Sequence, residues 1–145
     1  MPLPSLDLRN ESNLLLDDLL SLYDSVGWAA YTRDPAGLQT ALRNSTYVVA
    51  AWRDGQLIGL ARVLSDDISI VYIQDILVRP EFQRGGVGRA LLAHLLERFA
   101  HVRSVVLLTD SDEKQLRFYA SLGFKNTRDL VKVPLNAFVR MPGLE

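Results

Sequence analysis

One stretch constrains the fold more than any other. From Ser69 to Phe99 the chain reads SIVYIQDILVRPEFQRGGVGRALLAHLLERF. An apolar, β-branched run ends at Val78, a short Arg79-Pro80 turn follows, then Gln83-Arg84-Gly85-Gly86-Val87-Gly88, then a strongly periodic helix. That is a strand, a glycine-rich loop and a helix N-terminus in immediate succession. Backbone N–H groups at a helix start lack intrahelical acceptors, and the aligned peptide dipoles favour anions there. Glycines let the backbone come close to a ligand. The arrangement predicts a phosphate-bearing ligand on this loop. It is neither of the two commonest phosphate fingerprints. Gly88 is followed by Arg89 and Ala90, not by the Lys-Ser/Thr of a P-loop, and Gly86-x-Gly88 is only a fragment of the dinucleotide motif.

The order strand, Gln83-x-x-Gly86-x-Gly88, helix, followed downstream by Phe118-Tyr119-Ala120-Ser121-Leu122-Gly123-Phe124, resembles the acyl-CoA-binding core of the GCN5-related N-acetyltransferase (GNAT) superfamily. That family carries Gln or Arg, two residues, Gly, one residue, then Gly or Ala after a strand. It carries a Phe/Leu-Tyr pair and a Gly-Phe around the next helix. The resemblance covers about residues 46–125.

Length and composition agree. A chain of 145 residues, 48% hydrophobic, suits a single domain over residues 1–145 with one packed core. The absence of cysteine excludes disulfides, thiolate metal sites and a cysteine nucleophile. Two histidines, His94 and His101, are too few for a histidine-rich metal site, and no metal is expected. A net charge of -1 gives no support for nucleic-acid binding. No apolar run is long enough to span a membrane, and the N-terminus lacks the basic and apolar segments of a secretory signal, so a cytoplasmic protein is expected.

Along the chain, Leu3, Leu6 and Leu8 suggest a short first strand near Leu6 to Arg9. Ser12 or Asn13 offers a cap for a helix from about Leu14, with Leu15, Leu16, Leu19, Leu22 and Tyr23 at helical spacing and Gly27 at its end. Trp28 to Thr32 reads as a connector, and Thr32 or Asp34 with Pro35 starts a second helix ending near Asn44. Thr46 to Trp52, Gln56 to Leu64 and Ser69 to Val78 read as a three-stranded meander, its first turn at Asp54-Gly55. After the Gly88 helix, Val105 to Thr109 reads as a short buried strand parallel to the Ser69–Val78 strand. Asp110 to Glu113 caps the next helix, Gly123 ends it, and further strands are expected from Phe124 and over Leu130 to Val139, the last broken or at an edge because of Pro134. The fold class is α/β: a GNAT-like mixed, mostly antiparallel central sheet with helices on both faces.

The resemblance implies acetyl-CoA as the acyl donor. The backbone of Ile76, Leu77 and Val78 would bond to the pantetheine arm like an added strand, and an N–H near Leu77 would polarise the acetyl carbonyl. Family members splay this strand from its parallel neighbour. Arg84, Gly85, Gly86, Val87, Gly88 and Arg89, with Gln83, would hold the pyrophosphate. Tyr119 would protonate the departing thiolate, since a phenol with an ordinary pKa of about 10 keeps its proton at neutral pH. At Asp112 the family more often has Asn, and at Gln115 more often Ala. A carboxylate only accepts hydrogen bonds when ionised, so Asp112 serves either the cofactor arm or the helix as a cap.

Asp75 is a carboxylate in an otherwise apolar strand and needs a partner. It is either the general base or amine anchor, or a structural ion pair. Strand alternation puts Gln74 on the face opposite Asp75. Some relatives carry a carboxylate at the position of Gln74, where this chain has an amide that cannot act as a base. Tyr23, Trp28 and Tyr31 either line an acceptor pocket or only bind the first helices to the sheet.

The implied reaction is direct attack by an amine on the acetyl thioester in a ternary complex. Small primary amines come first as acceptors, including arylalkylamines and polyamines, with the aromatic connector tilting toward an aromatic or apolar amine. Amino-acid, aminoglycoside and protein amino groups stay open. The alternatives are an acyl-CoA-binding regulatory or interaction module without turnover and, more weakly, a nucleotide-binding structural protein. The apolar run Leu135 to Val139 either covers its own sheet or adds to a partner's edge, so a homodimer would fit the family habit.

Overall fold

The computed structural model describes residues 6–144. The chain divides between Leu108 and Thr109 into two compact units.

The first unit holds a five-stranded sheet in the order β1-β2-β3-β4-β5. Its strands are β1 (Asp7–Asn10), β2 (Tyr47–Arg53), β3 (Gln56–Ser65), β4 (Ile70–Val78) and β5 (Ser104–Leu107). The first three pairings are antiparallel and β4 with β5 is parallel, so the sheet is mixed and mostly antiparallel, as the sequence predicts. Asp54 and Gly55 both have positive φ, 51° and 76°, which matches the twist of a two-residue hairpin between β2 and β3.

The helices are α1 (Leu16–Ser25), the single turn α2 (Ala29–Thr32), α3 (Pro35–Arg43) and α4 (Val87–Arg98). The connector expected at Trp28 to Thr32 is therefore itself helical. Leu19, Leu22 and Tyr23 of α1 and Leu38 and Leu42 of α3 form a core with Val48, Ala50, Leu57, Leu60 and Leu77 of the sheet. Gly59, next to Leu60 along β3, faces the other way, onto α4. A Cβ there would lie 3.3 Å from Leu91 Cδ1 and Val87 Cγ1. Helices thus cover both faces.

The start of α1 departs from expectation. Neither Ser12 nor Asn13 caps it. The N-cap position is Leu15, without a side-chain bond. The preceding Leu14 is buried in the core. A cap is worth about 1 kcal/mol and burial of a leucine roughly 1.5–3 kcal/mol, so packing decides where the helix begins. At α3 the cap is Asp34, whose side chain accepts from the Gly37 N–H at 3.0 Å, with Pro35 in the first turn. β5 is half-buried, not buried, because it is the sheet's last strand.

The second unit holds α5 (Glu113–Ser121), capped by Asp112, whose carboxylate accepts from the Lys114 N–H at 3.1 Å. The helix ends on Gly123 at φ 92°. The Phe124 N–H bonds back to Tyr119 O and the Gly123 N–H to Ala120 O, both at 3.2 Å, a Schellman closure. Among the described residues no strand forms from Phe124 onward. Among described residues this region has one 3₁₀ turn, Thr127–Asp129. Val131, Val133, Leu135 and Phe138 alternate too imperfectly around Pro134 to make a ladder and stand exposed.

Candidate functional site

The geometry begins with β4. It pairs in parallel with β5 only from Ile70↔Ser104 to Ile73↔Leu107. β4 itself continues to Val78, still paired on its other side with β3 through Gly59↔Val78. Ile76, Leu77 and Val78 therefore lie on a stretch whose outer edge has no strand partner among the described residues. Every residue of β5 is paired, and the strand ends at Leu107 where the pairing ends, so it is β4 that runs on past its neighbour.

The strand leads into the loop through Arg79. That side chain is buried, donates from Nε to Leu57 O at 2.7 Å and from Nη2 to Ser21 Oγ at 3.0 Å, and so ties β4's end to α1 and β3. Pro80–Phe82 is a 3₁₀ turn. Gln83 Nε2 then donates to Val78 O at 2.9 Å, folding the loop back on the strand's end. Arg84 has φ 71° and Gly86 φ 85°, so the loop turns through left-handed backbone at both. Gly86 is the N-cap of α4, and the first bond back into that helix runs from the Ala90 N–H to Gly86 O at 2.9 Å. Gly86 and Gly85 are exposed and Val87 is buried as the anchor under α4. The first-turn N–H groups at Val87 and Gly88 have no i−4 acceptor. The open strand edge ending at Val78 and the helix N-terminus at Val87 lie on one continuous stretch, joined by Arg79 to Gly86, and their backbone groups suit a chain ending in phosphates.

Asp75 lies inside the sheet, 4% exposed. Its Oδ2 accepts from Arg62 Nε at 2.6 Å and from the Tyr23 hydroxyl at 3.0 Å, and its Oδ1 accepts from the Tyr31 hydroxyl at 2.8 Å. Arg62 also donates to Ser45 Oγ at 3.3 Å and to the Tyr31 oxygen at 3.2 Å. Burial pushes the Tyr23 hydroxyl well above the ordinary phenol range, with the Asp75 charge adding to it, and moves Tyr31 in the same direction for the same reasons. Burial works against the Arg62 charge, but the Asp75 carboxylate outweighs it and holds the guanidinium protonated. Tyr23, Trp28 and Tyr31 meet edge-on or tilted, with ring centroids 5.0 to 6.1 Å apart. Tyr23 is fully buried, while Trp28 and Tyr31 are half-buried at the rim.

Gln74 corrects a sequence expectation. Arg62 pairs with Asp75 and Val63 with Ile73, so Gln74 is an extra residue on β4. At such a bulge strict alternation lapses. Gln74 Nε2 donates to the Tyr31 oxygen at 3.3 Å, and Asp75 binds the same hydroxyl. The two side chains share one face. Arg62, the partner that Asp75 needs, has no motif of its own in the sequence. Its one legible signal is that it is the lone charge in the apolar run of β3, with the complementary charge in β4.

In the second unit, Tyr119 is buried between Phe118 and Phe124, ring centroids 5.1 and 5.8 Å away. Burial, with the Asp110 charge, pushes its hydroxyl up to about 12. The Gly-Phe of the motif is thus the closure that seats Tyr119 at its helix end. The Asp112 carboxylate is occupied as the α5 cap, and its own N–H donates to Asp110 Oδ1 at 3.0 Å.

The acetyltransferase (GNAT) domain model matches residues 20–142. The chain belongs to the GNAT acetyltransferase family. Among its GNAT relatives is an uncharacterised N-acetyltransferase (ycf52) of Pyropia yezoensis, 31% identical over 131 residues, covering 86% of this chain and 73% of that protein. A GNAT-family acetyltransferase of Streptococcus pneumoniae TIGR4 has a similar structure, with TM-score 0.76, 31% identity and coverage of 92% of this chain and 98% of that one. The PaiA N-acetyltransferase of Thermoplasma acidophilum, solved in complex with coenzyme A, shares the GNAT fold at 17% identity, with TM-score 0.71 and coverage of 83% and 90%.

Proposed function

We propose that this GNAT protein transfers the acetyl group of acetyl-CoA to a small primary amine by direct attack in a ternary complex. The observation that carries the reading is that β4 runs on past Ile73, its last pairing with β5, and leads through the Gly86 turn into the start of α4. The open edge at Ile76, Leu77 and Val78 suits the amide-bearing arm of CoA, and a backbone N–H near Leu77 suits the acetyl oxygen. The Gln83–Arg89 loop suits the pyrophosphate, with Arg84 and Arg89 supplying charge. The Thermoplasma relative's complex with coenzyme A accords with this donor.

Tyr119 is the proton donor to the leaving thiolate in this reading. Its raised pKa keeps the proton on the hydroxyl until it is needed. Asp75, with both oxygens engaged, is a positioning residue that fixes Tyr31 and Tyr23 at the acceptor side. The same engagement is what favours the second reading, an acyl-CoA-binding module without turnover, because no base is evident in that cluster.

Thiol release from acetyl-CoA, measured against a panel of amines for the wild type and Tyr119→Phe beside a CoA-binding titration, separates the two. The expected result is amine-dependent release that collapses in Tyr119→Phe while CoA binding survives. CoA binding without release from any amine would leave the binding module. No CoA binding would defeat both readings.

A further inference from the structure

The cluster around Asp75 bears on which amines can react. Only a neutral amine has the lone pair that attacks a thioester, so an ammonium must first lose a proton to a base. The groups that meet here come from every neighbouring element: Tyr23 from α1, Tyr31 from α2, Ser45 between α3 and β2, Arg62 from β3, and Gln74 and Asp75 from β4.

Asp75 is buried, its two oxygens take three donors, and its charge is matched by Arg62 at 2.6 Å. Both tyrosine hydroxyls donate to that carboxylate, and burial holds them protonated. The exposed member of the cluster is Gln74, whose amide nitrogen donates to the Tyr31 oxygen. Its carbonyl accepts a hydrogen bond and takes no proton. The wall therefore offers an amine a polar contact, with neither a base nor uncompensated negative charge.

We propose that the acceptor arrives already neutral. It is a weakly basic primary amine, either an α-amino group beside a carbonyl or an aromatic amine, and not an alkylammonium or polyamine. The amine's N–H donates to the Gln74 carbonyl, with Tyr31 and Asp75 holding Gln74 in place. At neutral pH an amine as basic as lysine is unprotonated in only about one molecule per thousand, whereas an α-amino group is unprotonated in roughly a quarter. The inference rests on the transferase reading above.

Phenylalaninamide and phenethylamine carry the same ring and differ in basicity, with an aniline as the aromatic-amine arm. kcat/KM for each is measured with acetyl-CoA and the full chain between about pH 6 and 9. At neutral pH the expected order puts phenylalaninamide about tenfold or more above phenethylamine. The phenethylamine value climbs about tenfold per pH unit throughout, while the phenylalaninamide value levels off at that amine's own titration. Activity with the aniline as well marks the aromatic source. Gln74→Glu supplies a titratable carboxylate at an exposed position, so near neutrality the ratio of the phenethylamine value to the phenylalaninamide value should rise about tenfold.

Equal use of both amines, with one inflection common to their profiles, would show a base on the enzyme and overturn the inference. A Gln74→Glu variant with an unchanged ratio of phenethylamine to phenylalaninamide activity would overturn the assignment of this wall to the acceptor. CoA binding without transfer to any amine would instead defeat the transferase reading, and this inference with it.

Discussion

Arg62 Nε and Asp75 Oδ2 stand 2.6 Å apart on neighbouring strands, with side chains only 7% and 3% exposed. Such a pair adds little net stability over a packed apolar pair, but breaking it strands a charge in the interior. Arg62→Met should therefore cost about 3–5 kcal/mol. The urea midpoint of the variant reads this out. A loss under about 1 kcal/mol would mean that water reaches Asp75.

Alkaline pH should loosen the fold. The Tyr23, Tyr31 and Tyr119 hydroxyls all titrate above their ordinary value, chiefly through burial. Folded values above the unfolded one give a stabilising contribution that is complete below about pH 10 and is lost as pH rises through the folded values. Stability from chemical denaturation should hold level up to about pH 9 and then fall. Tyr119→Phe should blunt the part of the fall between about pH 10 and 12. An unchanged slope in that variant would contradict the assignment.

Gly86→Ala tests the loop. At φ 85° an added Cβ meets no neighbour, so the cost is backbone strain alone, about 1 kcal/mol. The melting temperature should drop by a few degrees. CoA affinity, by titration, should fall further than that strain explains if the loop backbone holds the phosphates. An unaltered affinity would separate the loop from the ligand.

Gly123→Ala tests the seat of Tyr119. Gly123 sits at φ 92° in the closure that places Phe124 against Tyr119. Straining that turn by about 1 kcal/mol should lower kcat more than KM, since a proton donor acts in the transition state. Equal changes in both would make Tyr119 a packing residue.

The sequence made the elements of the first unit legible because each carries its own local signal. Asp54-Gly55 forces a hairpin, Asp34-Pro35 starts a helix, and the leucines of α4 repeat at helical spacing. What failed depended on partners far along the chain. The α1 start is set by Leu14 entering the core, and the strands expected after Phe124 find no pairing partner among the described residues. At the site, the loop is contiguous and could be read directly. The Asp75 cluster joins residues up to 52 positions apart, so its wiring through Tyr23 and Arg62 is invisible to periodicity. The Gln74 bulge hid for another reason, since one inserted residue leaves no mark in the apolar pattern of β4.

β4 outruns β5 by five residues, Gln74 to Val78. An unzipped strand edge ordinarily invites other chains to stack on it and grow. Here the bare stretch belongs to the fourth strand of five and begins only where the fifth stops pairing. β5 has itself ended there, at Leu107, so what stays bare is short, Gln74 to Val78, and Pro80 follows just beyond with no N–H to extend a ladder. A brief edge closed by a proline gives a foreign β-strand little to grip, while a slender, flexible guest needs only a few backbone contacts.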